Sequence, residues 1–131
     1  MDLHACIEGD GVIGIPPGHR ILIPTGLALE IEPGWEGQIR SRSGLALNHG
    51  IAVLNSPGTI DSDFRGEIKV ILMNHGNTSF VVHHGDRIAQ LVLTTIAQQT
   101  AVRLLVVEKL SSSNRGEGGF GSTGVDNSRK P

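Results

Sequence analysis

The chain has one cysteine, one tryptophan and no tyrosine, and aromatic residues make up 3% of its 131 positions. Cys6 cannot close an internal disulfide, and beside six scattered histidines it does not build a zinc knuckle. Scarce rings remove the stacking platforms on which single-stranded nucleic acid is laid. An excess of one charge is missing too: 11 Lys and Arg against 13 Asp and Glu give a formal net charge of −2, so no basic field holds a nucleic-acid backbone. No apolar run approaches the roughly 20 residues that span a bilayer, and Asp2, His4 and Glu8 stand where a secretory leader needs a basic and then an apolar stretch. The expectation is a soluble, cytoplasmic domain with no nucleic-acid or membrane partner.

What is abundant is glycine, 18 residues, joined by six prolines. From Gly9 to Gly85 they punctuate the chain at intervals too short for long helices. The segments between are β-branched and often alternate: Leu27, Leu29 and Ile31 against Ala28, Glu30 and Glu32, or Ile68, Val70 and Leu72 against Lys69, Ile71 and Met73. Many short strands with regular turn signals predict an all-β sandwich, barrel or jelly roll. Between Asp86 and Leu110 there is no Gly or Pro, yet the β formers Val92, Thr94, Thr95, Ile96, Val102, Val106 and Val107 predict two strands broken at Gln98-Gln99. One short helix is expected over Ser43 to His49, with Ser43 as N-cap and Gly50 as the stop. After Leu110 only Phe120 and Val125 can bury, so residues 1–110 form the β domain and residues 111–131 a flexible arm.

Three segments carry candidate chemistry. In RSRSG, Arg40 and Arg42 flank a serine-glycine step at the expected helix start: an ordinary cap with solvated arginines, or an anion site built from N–H groups, the Ser43 hydroxyl and a guanidinium fork, with Gly44 admitting a close approach. In NSPGTIDSDFRGE, Asp61 and Asp63 either cap their own turn or supply a carboxylate that activates water or holds Mg²⁺ through water. In RGEGGFGSTG, freed amides, the Ser122 and Thr123 hydroxyls, Arg115 and the lone ring of Phe120 suit a lid closing on a ligand better than a plain linker. Arg87 and Gln90, Trp35 and all six histidines read as structural or surface residues.

Together and in order, DLHA (Asp2 to Ala5), RSRSGLA, GTIDSDFRGE, RIAQL and RGEGGFGSTG resemble the five boxes of the trimeric dUTPase family, the deoxyuridine triphosphate nucleotidohydrolases. The resemblance implies a distorted jelly-roll subunit in a homotrimer, with sites at subunit boundaries and the arm closing a neighbour's site. It implies hydrolysis of dUTP to dUMP and pyrophosphate with Mg²⁺. Carried over by match, Asp61 activates the water that attacks the α-phosphorus. Asn55 and its hairpin read the uracil edge. Arg42, Ser43, Gly44 and Gln90 hold phosphates, and Asp2 holds Mg²⁺ through water. Phe120 stacks on uracil while Arg115, Gly121, Ser122 and Thr123 take the γ-phosphate region.

The sequence departs from the family pattern twice. Phe64 stands where the family carries a tyrosine beneath the deoxyribose, which keeps the ring that rejects a 2′-hydroxyl and drops the phenol contact. The first box begins at Met1-Asp2, without the family's leading strand and alanine-glycine step, which implies a start upstream or a shortened chain. Two alternatives accompany the hydrolase: a non-catalytic nucleotide-binding module on the same fold, and the related dCTP deaminase, whose arm RGEGGFGSTG does not resemble.

Overall fold

The computed structural model describes residues 1–9, 11–97 and 105–117. The chain divides into two compact units, Met1–Ala101 and Val102–Pro131. The regular elements described all belong to the first unit. They are β1 (Asp2–His4), β2 (Val12–Ile15), β3 (Arg20–Pro24), β4 (Trp35–Arg40), α1 (Ser43–His49), β5 (Ile51–Val53), β6 (Gly58–Ile60), β7 (Lys69–Asn74), β8 (Phe80–His83) and β9 (Arg87–Thr95). They form three antiparallel sheets, β1-β9-β4-β6, β2-β8 and β3-β7-β5, in a jelly-roll-like arrangement. The all-β expectation with one short helix holds.

One aliphatic cluster joins the sheets: Leu3, Ile15, Ile23, Ile39, Ile51, Val53, Val70, Leu72, Val82, Ile88 and Leu91 are all buried. No described aromatic side chain belongs to the buried set; Trp35 and Phe64 are exposed and Phe80 packs only partly against the cluster. A core of Ile, Val and Leu suits strands, whose pleated faces interlock β-branched side chains. On β7 the alternation read from the sequence appears as buried Val70, Leu72 and Asn74 against more exposed Lys69, Ile71 and Met73.

Asn74 gave no sequence signal, yet it is fully buried. Its Nδ2 donates to Ile15 O (2.8 Å) and Thr78 O (2.9 Å), and its Oδ1 accepts from Gly76 N (2.8 Å). Asn74→Leu removes the partner of all three backbone groups and leaves Ile15 O buried and unsatisfied at about 1–3 kcal/mol, with smaller losses at the part-buried Thr78 O and Gly76 N. The expected result is a thermal midpoint lower by roughly 10 °C or more, measured by circular dichroism.

Several expectations need correction. Residues 27–32 form no strand. Gly26, at φ 69°, interrupts the ladder after Pro24, although Ile68 N still donates to Leu27 O at 2.8 Å. Side chains then hold it there: Thr25 Oγ1 donates to Ile68 O (2.6 Å), and Glu67 Oε1 accepts from Gly26 N (2.9 Å), a bond that holds the Glu67 carboxyl below its ordinary pKa. Beyond β9, residues 105–110 form no strand, and Gln98, Gln99 and Val102 lie outside the described residues. Ser43 is not the N-cap of α1. Arg42 is, in extended conformation (φ −88°, ψ 126°) and with no side-chain capping bond: its guanidinium reaches Arg87 O and Asp2 instead, and the helix begins one residue earlier than a Ser43 cap would have it. Gly50 ends the helix as read, at φ 67°, and a Cβ there would lie 2.6 Å from Gly76 N. Trp35 opens β4 rather than sitting in a turn.

Candidate active site

Three boxes far apart in sequence meet at one corner of the four-stranded sheet. The β1/β9 ladder sets Asp2 opposite Gln90, and the β4/β9 ladder sets Arg40 opposite Gln90, so the chain leaves β4 toward α1 beside both. Gln90 Nε2 lies 3.3 Å from Asp2 Oδ1. Arg42 Nε lies 3.7 Å from the same oxygen, and Arg87 Nη1 lies 3.8 Å from Asp2 Oδ2. Arg42 Nη1 donates to Arg87 O at 2.7 Å, which fixes the guanidinium against β9. The side chains of Arg42 and Asp2 are 25% and 29% exposed, shielded enough to be ordered and open enough to be reached. Ser43 and Gly44 open α1 beside them, and nothing lies within 4 Å of where a Gly44 Cβ would be, so no packing within the chain demands that glycine. A cavity of about 190 Å³ lined by Arg42, Leu45, Phe80, Asp86, Arg87 and Ile88 adjoins the two guanidiniums.

Two contributors escaped the sequence reading. Arg87 reads as structural from sequence, yet both its carbonyl and its guanidinium belong to this corner. Ser41, between the two arginines of RSRSG, accepts Val53 N at 2.9 Å and so ties the β4–α1 connection to β5. The signal for Arg87 was present, as a cation three residues before Gln90; Ser41 carried none.

A second group lies on the connection from β5 to β6, which belong to different sheets, and on the turn after β6. Gly58 packs on Asn55: a Cβ there would lie 3.2 Å from Asn55 Nδ2. Asp61 follows β6 directly, and Phe64 N donates to Asp61 O at 3.1 Å, closing a turn in which Asp61 and Asp63 do not share a strand face. Among the described residues the Asp61 carboxylate has no hydrogen-bond or ion-pair partner, so it does not cap its own turn. Nor does any hydrogen bond or ion pair among the described residues link this group to the Asp2 corner. Arg115 lies in the second unit, where Gly116 N donates to Ser113 O at 3.1 Å. Phe120, Gly121, Ser122 and Thr123 lie outside the described residues.

The remaining features do not compete with these groups. A groove of about 360 Å³ along Leu29, Ile31, Trp35 and Leu93 has mostly apolar walls and only Glu30 and Glu32 for charge, which does not fit an anion. His83 pairs with Asp86 (3.4 Å), His84 Nδ1 lies 2.9 Å from Ile7 O and His4 Nδ1 lies 2.8 Å from Gly85 O, in keeping with structural or surface roles. No group of three or more His, Cys, Asp or Glu that could hold a metal occurs among the described residues. No described helix is long and apolar enough to cross a membrane.

An antiparallel jelly-roll-like unit that gathers two guanidiniums, an amide and a carboxylate at one sheet corner defines a protein of the anion-handling kind, with its other candidate groups on the β5–β6 connection and the turn after β6. The dUTPase family matches residues 4–124, and the chain belongs to that family. It is 54% identical over 125 residues to the deoxyuridine 5′-triphosphate nucleotidohydrolase of Rhizobium etli (strain CIAT 652), covering 95% of this chain and 78% of that protein. To the enzyme of the same name from Syntrophotalea carbinolica it is 53% identical over 124 residues, covering 95% and 81%. Among solved structures it is similar to the Staphylococcus bacteriophage 80alpha dUTPase with dUPNHPP, at a TM-score of 0.79 and 26% identity over 95% of this chain and 85% of that one. The native EIAV dUTPase matches at a TM-score of 0.69 and 26% identity, over 84% of each chain.

Proposed function

We propose that the chain hydrolyses dUTP to dUMP and pyrophosphate, as a cytoplasmic homotrimer that limits uracil nucleotide available to DNA synthesis and supplies dUMP. The observation that carries this reading is the convergence of positions 2, 42 and 90 at one corner in a chain of the dUTPase family. Arg42, Gln90 and the Ser43-Gly44 step hold the phosphate chain there, the guanidinium through charge-assisted bonds. Asp61 accepts a proton from the attacking water, whose oxygen bonds to the α-phosphorus as the bond to the bridging oxygen breaks and pyrophosphate leaves. Asn55 reads the uracil edge and Phe64 lies beneath the deoxyribose, where its ring excludes a 2′-hydroxyl. Phe120 covers the base, and Arg115, Gly121, Ser122 and Thr123 engage the terminal phosphate from the arm, residues 111–131. That no hydrogen bond or ion pair among the described residues joins the Asn55–Phe64 group to the Asp2 corner, while Leu22, Leu93 and Ile96 are exposed, supports a site completed by neighbouring copies.

Mg²⁺ fits one carboxylate here and no more. Asp2 is 3.3 Å or further from each of its three partners, which leaves its oxygens able to take metal-bound waters. Asp2 would hold the ion through water, and the ion would supply charge neutralisation to the phosphates. The test is release of pyrophosphate from dUTP, dCTP, dTTP and UTP with and without Mg²⁺. The expected result is turnover of dUTP alone at a Mg²⁺-dependent rate. Comparable turnover of all four, dUTP binding without hydrolysis, or ammonia release from dCTP would each replace this reading.

A further inference from the structure

The turn from Asp61 to Gly66 is held as backbone at several points, and its one ring lies against Gly66. Arg65 Nη1 donates to Ser62 O (2.7 Å) and Phe64 O (3.1 Å), and its Nη2 lies 3.4 Å from Glu30 Oε1. With Phe64 N bonded to Asp61 O, the main chain on both sides of Phe64 is fixed. The ring itself is 41% exposed. Its outer edge rests on Gly66: a Cβ there would lie 2.7 Å from Phe64 Cζ, 3.0 Å from Cε2 and 3.5 Å from Cε1. Gly66 is not among the glycines with positive φ, so the backbone conformation does not ask for glycine there. The ring does.

We propose that Gly66 sets the seat of Phe64 and thereby determines how strongly the enzyme rejects a ribonucleotide. This rests on the reading that Phe64 lies beneath the sugar. A methyl group at Gly66 meets the far end of a side chain that can swing about its own torsions, so Gly66→Ala moves the ring and leaves the pinned turn in place. A ring moved off its seat no longer fills the space that a 2′-hydroxyl would need. Gly66 is a positioning residue in this scheme, acting through Phe64.

The experiment is kcat/KM for dUTP and for UTP in the wild type, Phe64→Ala, Gly66→Ala and the double variant. Gly66→Ala is expected to narrow the dUTP/UTP ratio by about tenfold, the scale of discrimination by pocket shape. In the Phe64→Ala background the same change is expected to add nothing, since the two residues act as one unit. A ratio in Gly66→Ala within about twofold of wild type would overturn the proposal, as would an equal loss in the double background. If Phe64→Ala itself leaves the ratio intact, the sugar reading fails and takes this inference with it, an outcome distinct from failure at Gly66 alone. A second measurement does not depend on Gly66→Ala folding. In the wild type one Gly66 Hα resonance should be shifted upfield by the ring and should return to its ordinary position in Phe64→Leu. An unshifted resonance would show that the seat is not formed.

Discussion

Replacing Asp61 by asparagine is expected to lower kcat for dUTP by about 10³-fold, within the range that a positioned general base contributes, while KM stays near its wild-type value. The change keeps the shape of the side chain and removes only its capacity to take a proton. Structural side effects are small because, among the described residues, the carboxylate accepts no hydrogen bond and pairs with no cation. The turn is held by Phe64 N to Asp61 O and by Arg65, neither of which uses the Asp61 side chain. Steady-state kinetics beside a thermal melt checks this. Turnover within about threefold of wild type would remove Asp61 as the group that activates water.

Ending the chain at Leu110 is the second large effect: kcat/KM for dUTP should fall by about 10³-fold, comparable to withdrawing a cationic finger from a phosphoryl-transfer site. Among the described residues, the members of the aliphatic cluster run from Leu3 to Leu91 and none lies beyond Leu110. The shortened protein should therefore keep its circular dichroism and its thermal midpoint. On the proposed function, the loss is expected because Arg115, Phe120, Ser122 and Thr123 of a glycine-rich segment would contribute through positioning and charge. An unchanged rate would exclude the arm from catalysis. A shortened protein that no longer melts cooperatively would show that the arm serves folding instead.

Legibility from sequence followed the range of the forces involved. Strand β7 and helix α1 were readable because alternation and a glycine in left-handed conformation are local properties of five or six residues. The segment 27–32 alternates as well as β7 does and still forms no strand, because Thr25, Gly26 and Glu67 divert it through bonds to residues some 40 positions away. Asn74 looks like any polar residue at a strand end until β2 and the following turn close around it. The helix begins one residue earlier than a Ser43 cap would have it, and the Arg42 guanidinium answers to Asp2 and Arg87 and not to its own helix.

The sequence alone determined that this is a glycine-punctuated all-β chain with an aliphatic core, and its five ordered boxes determined its family. Those properties are additive along the chain: composition, alternation and turn chemistry need no partner in space. Only the tertiary structure decided which residues meet. It joined Asp2, Arg42, Arg87 and Gln90 at one corner, placed Asn55, Asp61 and Phe64 on the β5–β6 connection and the turn after β6, and laid the ring of Phe64 on Gly66. Side-chain contact depends on ladder register, which is set by burying one face of every strand at once and is carried by no single stretch of sequence.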